Sequence, residues 1–247
     1  MRSFYKMVWM EIKLFLREPI GAFFTLVFPL MMLFLFGGIY GNEPSDIFNG
    51  QGTVDISIPA YTAMIIATTG LLGLVITVAS YRENGILRRL RTTPINAITI
   101  LAAQVVVLFL MTVIGMAFLI LAGKLVYHMN FSGNVFHVFL GFTLSCMSFF
   151  AIGFVLAGLM PTARTAQIVG MVILYPMLFL SGAGFPRELL PDTIQKISTF
   201  LPLTYVVNLL RGLWVGETFD QHIVNVGVLI GILIIGVLIS ILTFHWE

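Results

Sequence analysis

Residues 97–123 read AITILAAQVVVLFLMTVIGMAFLILAG, 27 consecutive positions without an Asp, Glu, Lys or Arg. As a helix rising about 1.5 Å per residue, this run is about 40 Å long, more than the roughly 30 Å of hydrocarbon in a bilayer. Backbone amides in hydrocarbon are satisfied only within a helix or in a closed barrel. Barrel strands are about ten residues long and alternate in polarity, a pattern this run lacks. The stretch therefore reads as a transmembrane helix. The composition extends that reading: 59% of the 247 residues are hydrophobic and 10% are charged, whereas soluble domains carry roughly a quarter charged residues. Lipid must solvate much of the surface.

Five further runs are long and apolar enough to span: Ile20–Ile39, Tyr61–Ser80, Val135–Met160, Thr165–Ala183 and Ile223–Phe244. None of them carries a charged side chain. The expected fold is an all-α membrane protein with six transmembrane helices and an amphipathic interfacial helix at the N-terminus. The whole chain, 1–247, reads as one transmembrane domain. Its parts are 1–19 (interfacial helix), 20–183 (spans one to five), 184–222 (a connecting segment) and 223–247 (last span and C-terminus).

Charge alternates between the connections. Met1–Pro19, Tyr81–Asn96, Pro161–Arg164 and His245–Glu247 together hold nine of the 13 basic residues; Gly41–Ala60, Lys124–Asn134 and Gly184–His222 hold four. The excess of Lys and Arg on one side predicts that both termini are cytoplasmic. Within Met1–Glu18, Phe4, Val8, Ile12, Phe15 and Leu16 share one helical face, and Arg2, Lys6, Lys13 and Arg17 gather on another, as in a helix lying in the membrane interface. Pro19 marks a break before the first span. The charged start and the lack of a small-residue cleavage site after a short apolar core argue against a cleaved signal peptide, so the first span is read as retained.

Small residues punctuate the spans, and Gly227-x-x-x-Gly231 is read as helix packing within the chain. The single cysteine, Cys146, lies in an apolar run and reads as a small core residue. A formal net charge of +2 argues against a nucleic-acid binder.

The missing chemistry narrows the function. Ion-driven carriers keep ionisable groups inside the membrane, and these six runs have none. No G-x-x-x-x-G-K-[ST] phosphate-binding loop is present. His128, His137, His222 and His245 have no partner at catalytic or metal-ligand spacing. Uphill transport by this chain would have to draw its energy from a partner. One segment suits a partner: Ser80–Pro94, with Ile86, Leu87 and Leu90 as an apolar face, Arg82, Arg88, Arg89 and Arg91 as charge, and Pro94 as a stop. On the residues alone it fits equally a rod that docks into a protein groove and an anchor for lipid headgroups.

The motif Glu83-x-Gly85 followed by Arg89-Leu90-x-x-Thr93-Pro94 resembles the loop between the second and third spans of ABC-2 type transporter permeases. A second match is Gly184-Phe185-Pro186, Pro191, Gln195 and Leu201-Pro202-Leu203-Thr204-Tyr205 with Arg211 and Gly216, similar to that family's outer block, a resemblance that implies short re-entrant helices before the last span. The closing Phe244-His245-Trp246-Glu247 is similar to its usual ending. The resemblance covers the whole chain. It implies the transmembrane subunit of an ATP-driven exporter for an amphiphilic or hydrophobic, drug- or antibiotic-like compound. It implies no ATPase site and no bound cofactor in this chain; ATP and magnesium would sit on two cytoplasmic ABC ATPase subunits. A second permease chain, identical or homologous, would complete the path through the plasma membrane.

The coupling residues so implied are Arg82, Glu83, Gly85, Leu87, Arg88, Arg89, Leu90, Thr93 and Pro94. The outer re-entrant residues are Pro186, Pro191, Pro202, Thr204, Tyr205 and Arg211. Arg211 is expected to snorkel outward or to pair with an acid such as Glu217, and Asp192 after Pro191 to begin a helix. Export of a lipid-linked glycan or another lipid is the alternative cargo; a sugar polymer would call for a more aromatic and polar lining. A membrane-embedded lipid-modifying enzyme and a non-transporting scaffold are the alternatives from other classes.

Overall fold

A helix that is apolar on every side has no preferred face toward lipid and can be enclosed by its neighbours. The second span is such a helix. In the structure, a computed structural model describing residues 2–17, 19–45, 48, 50–86, 97–187 and 190–243, it sits at the centre of the bundle. Among the described residues, six helices are long and apolar enough to cross a membrane. Along the chain, α1 is Arg2–Arg17, and α2 (Phe23–Tyr40), α3 (Thr53–Glu83), α4 (Thr99–Tyr127), α5 (Val135–Leu159) and α6 (Ala163–Leu180) are the first five spans. Two shorter helices follow, α7 (Asp192–Ser198) and α8 (Pro202–Trp214). The sixth span is α9 (Phe219–Leu242). A two-residue hairpin, Pro44–Ser45 against Gln51–Gly52, links α2 to α3.

Of the spans, α3 is the most enclosed and α9 the least, with most of α9 facing outward. α3 is also longer than the apolar run Tyr61–Ser80 predicts. It starts at Thr53, eight residues early, and carries Asp55 in its first turn and Arg82 and Glu83 in its last. The start signal lies outside the helix. Asn42 Oδ1 accepts from the Val54 and Asp55 amides at 3.0 and 3.2 Å, taking up donors that a helix N-terminus leaves unpaired. The Asp55 carboxylate is buried but well bonded: its Oδ1 accepts from Asn42 Nδ2 at 3.0 Å and from the Asn130 amide at 2.9 Å. The helix N-terminus favours its charge.

α3 is held by close approach rather than by polar contacts. Both α2 and α3 contain a π-helical turn, Phe23–Val27 and Thr69–Leu74, and the second widens α3 where it crosses α5. There a Cβ on Gly70 would lie 2.9 Å from the Phe149 Cβ and carbonyl oxygen, and one on Gly153 would strike the Gly70 carbonyl oxygen. A Cβ on Gly170 of α6 would lie 2.5 Å from the Leu71 carbonyl oxygen. α5 also packs along α9, where Ser148 Oγ donates to the Leu229 carbonyl at 2.9 Å. The pair Gly227 and Gly231 behaves otherwise than its spacing predicts. A Cβ at either meets nothing within 4 Å; the glycine of α9 that does pack inside the chain is Gly236, against Ala151. Spacing alone does not say which face a small residue lies on.

Replacing Gly153 with Ala is expected to destabilise the protein by about 1–3 kcal/mol, the usual cost of overpacking. Gly231→Ala is expected to be neutral or slightly stabilising, because Ala is the better helix former. Thermal unfolding of the purified protein in detergent separates the two; equal midpoints would refute the close-approach account.

Candidate functional site

Three consecutive residues at the end of α3, Tyr81, Arg82 and Glu83, point in three directions, because successive helical residues are rotated by about 100°. Each grips a different helix. The Tyr81 hydroxyl donates to Glu11 Oε1 of α1 at 2.5 Å. Arg82 Nη1 donates to the carbonyls of Ala157 and Gly158 at 3.1 and 2.8 Å, in the last turn of α5. Glu83 Oε2 accepts from the Ala163 amide at 2.8 Å, the first residue of α6. A guanidinium on terminal carbonyls and a carboxylate on a terminal amide both complement the helix dipole. The turn between α5 and α6 is thus clamped from both sides by neighbours in sequence on α3. Thr162 adds an ordinary cap, its Oγ1 accepting from the Thr165 amide at 3.2 Å.

α3 stops directly after the clamp. The Asn84 and Gly85 amides donate to Ser80 and Arg82 carbonyls at 3.0 Å each. Gly85 has φ +64, the left-handed conformation that ends helices and favours glycine. Of the expected coupling residues, Arg82, Glu83 and Gly85 are therefore placed in and just after the last turn of α3. Leu87, Arg88, Arg89, Leu90, Thr93 and Pro94 lie outside the described residues.

α1 packs on this end of the bundle with part of the apolar face the sequence predicts: Phe15 is buried, and Val8 and Ile12 are partly buried against the core. Met7, Glu11 and Phe15, at 9%, 3% and 8% exposure, point inward, while Tyr5, Trp9, Met10 and Leu14 are exposed. Met7 joins Tyr81, Ile100 and Ala103 in a small apolar cluster. Glu11 was legible in principle: with Val8, Ile12 and Phe15 it completes an i, i+3, i+4, i+7 stripe. Burial raises its carboxyl above the ordinary value of 4.5, against a smaller lowering by the Tyr81 hydrogen bond. Gln104 of α4, a residue the sequence reading passes over, faces the same space with its Oε1 buried and without a hydrogen-bond partner.

At the opposite end, the segment between α6 and α9 folds back on itself. Pro191 precedes α7, whose first residue is Asp192, and Pro202 opens α8. Two hydroxyls of α8 satisfy carbonyls at the end of α7: Thr204 Oγ1 donates to Ser198 at 2.5 Å, and the Tyr205 hydroxyl to Thr199 at 2.7 Å. α8 is largely enclosed, with Trp214 set edge-on to Phe131 at 4.8 Å between ring centroids. Arg211 donates to the Gly182 carbonyl at 3.4 Å. Glu217 is bonded to His222 Nε2 at 2.7 Å, and Asn225 lies 2.9 Å from His222 Nδ1. Pro186 lines a cavity of about 650 Å³ between the ends of α2 and α3 and the chain after α6, with Phe36, Tyr40, Tyr61, Phe185 and Glu43.

A bundle of six apolar helices, with one basic, clamped end and one folded-back end, defines a multi-pass membrane protein of the permease kind. The chain belongs to the ABC-2 type transporter family, whose model matches residues 2–214. It is 25% identical over 239 residues to the putative transport permease ycf38 of Porphyra purpurea, covering 92% of this chain and 79% of that protein. It is 28% identical over 162 residues to the inner membrane transport permease YhhJ of Escherichia coli, covering 63% of this chain and 43% of that one. It is 36% identical over 94 residues to nodulation protein J of Rhizobium leguminosarum, covering 38% of this chain and 36% of that one. The chain is thus a transmembrane subunit of an ABC transporter, a class that works with ABC ATPase partners.

Two outcomes follow from the clamp end. Glu83→Ala is expected to lose about 1 kcal/mol, as removal of a helix cap does, and Glu83→Gln, which keeps an acceptor, less; identical unfolding midpoints for the two would sink the cap. The raised Glu11 carboxyl means that the folded chain holds its proton more tightly than the unfolded chain. Its contribution to stability is full below the ordinary carboxyl value of 4.5 and is lost as pH rises through the folded value. Glu11→Gln is expected to remove that part of the pH dependence, read as unfolding temperature against pH in an uncharged detergent.

Proposed function

We infer that the chain is half of the translocation path of an ATP-driven exporter for an amphiphilic or hydrophobic, drug- or antibiotic-like compound. Two ATPase subunits, carrying ATP and magnesium, dock on the segment Arg82–Pro94 and on α1. A second permease chain, identical or homologous, forms the other half, and both termini lie in the cytoplasm. The supporting observation is the triple grip of Tyr81, Arg82 and Glu83. A force applied just beyond Glu83 reaches α1, α5 and α6 through bonds of 2.5–2.8 Å. The basic excess on this side, Arg88, Arg89 and Arg91 included, supports its assignment as the cytoplasmic one.

The outer cavity favours the glycan-bearing lipid as a second reading of the cargo. Phe36, Tyr40, Tyr61 and Phe185 supply ring faces, and Glu43, Ser45 and Ser57 supply polar groups. This is the mixed lining that a sugar, stacked on rings and hydrogen-bonded at its edges, requires.

The test is co-purification. The tagged chain, extracted from its native membranes in mild detergent, is expected to bring vanadate-sensitive ATP hydrolysis with it. Arg89→Glu is expected to reduce the associated activity about tenfold, a loss of about 1.4 kcal/mol in docking, with the unfolding temperature unchanged. Undiminished ATPase association in that variant would remove the docking role of the segment.

A further inference from the structure

Between α1, α3 and α4, a cavity of about 240 Å³ opens at the clamped end, lined by Glu11, Gln104, Thr77, Ser80 and Tyr81 with Leu14, Phe15 and Ile76. Its polar lining offers a ligand two buried acceptors, a carboxylate and an amide oxygen without a partner. Glu11 is a carboxylate, 3% exposed. Gln104 is 4% exposed, and its Oε1 has no partner. The Thr77 hydroxyl spends its hydrogen on the Gly73 carbonyl at 2.8 Å, which leaves its oxygen lone pairs, and Ser80 Oγ already accepts from Asn84 Nδ2 at 3.1 Å. The Tyr81 hydroxyl donates to Glu11. No Lys or Arg lines the cavity among the described residues.

A buried carboxylate and an unpaired buried amide oxygen both carry a desolvation cost that a donor cation offsets. The size and the depth of the cavity select the cation. A water occupies about 30 Å³, so 240 Å³ exceeds what a bare metal ion needs. Thr77 lies six residues from the end of α3, and Gln104 lies five residues inside α4, about 8–9 Å along either helix. That is slightly deeper than one headgroup layer, about 5–8 Å, since a bilayer is about 40–45 Å across and its hydrocarbon about 30 Å. The acceptors are spread over several side chains and call for N–H donors, which a trimethylated ammonium lacks.

We propose that this cavity is a binding site for a primary ammonium group, presented by an aminophospholipid headgroup from the leaflet on the α1 side, which seats α1 against α3 and α4. The site does not depend on which cargo the chain moves or on how ATPases dock. Its ligand bridges three helices through Glu11, Thr77 and Gln104.

The experiment uses the full-length protein in nanodiscs of phosphatidylcholine alone, or of phosphatidylcholine mixed with phosphatidylethanolamine or with phosphatidylglycerol. The expected result is an unfolding temperature about 3 °C higher with phosphatidylethanolamine than in either other disc, the shift typical of a modest ligand on a chain of this size. Gln104→Leu is expected to abolish that difference and to stay folded in phosphatidylcholine. Glu11→Gln is expected to do the same and, having no carboxylate to desolvate, to be at least as stable as wild type there. Free ethanolamine added to phosphatidylcholine discs distinguishes the sources: protection without the lipid supports a soluble amine at the same site, and protection by the lipid alone supports the headgroup. Equal unfolding temperatures in all three discs would overturn the proposal. So would a phosphatidylethanolamine effect that survives both substitutions, or equal protection by potassium chloride over choline chloride, which would mark a metal-ion site.

Discussion

In hydrocarbon, one apolar helix gains nothing by leaving lipid for another apolar helix except contact. The enclosure of α3 therefore depends on how closely its neighbours approach, and that depends on positions where backbone meets backbone. Gly70 against Gly153 and Leu71 against Gly170 are those positions. Because the π-helical turn Thr69–Leu74 falls at the same level, α3 presents carbonyls sideways where α5 and α6 lack side chains to obstruct them. The middle of the bundle is fixed by shape, and polar groups are left for the two ends.

Those ends are built differently. At the far end Asn42 and Asp55 knit the loops after α2 and α4 to the start of α3 through bonds of 2.9–3.2 Å. Every member is satisfied by backbone or amide, and the arrangement reads as a fixed plug. At the clamped end the bonds run between helices that are separate rods, and Glu11 and Gln104 leave acceptor capacity unspent in a cavity. The contrast matches a bundle braced at one end and adjustable at the other.

The six spans were legible because none of their apolar cores carries a charge, and α1 was legible because four basic residues gather on one of its faces. The early start of α3 was not, because its start signal, Asn42, is 11 residues upstream of Thr53, and Asp55 and Pro59 inside the helix both imitate a loop. Arg82 and Glu83 were read as surface for a partner, but their own partners, Ala157, Gly158 and Ala163, lie 75–80 residues away. Sequence spacing carries no trace of such pairs. Gly227 and Gly231 had the right spacing on the wrong face, and Gln104 offered no signal beyond being a lone amide in a 27-residue apolar run.

The three-way grip also limits how the end of α3 is able to move. A helix held on one side slides or swings; one held at positions rotated by about 100° from each other has no free direction within its last turn. Arg82 cannot leave the α5 carbonyls without exposing them at a helix end, and Glu83 cannot leave the Ala163 amide without the same penalty. Displacement at Gly85 is thus cheaper as a joint shift of α3 with the α5–α6 turn than as a local fraying. Because α5 is packed along α9 through Ser148 and Ala151, such a shift carries the most lipid-exposed span with it. Tyr81 adds α1 by a hydrogen bond to a carboxyl, and the buried Met7 and Phe15 pack α1 on the same end, so α1 is tied there by a polar bond and by apolar contact together.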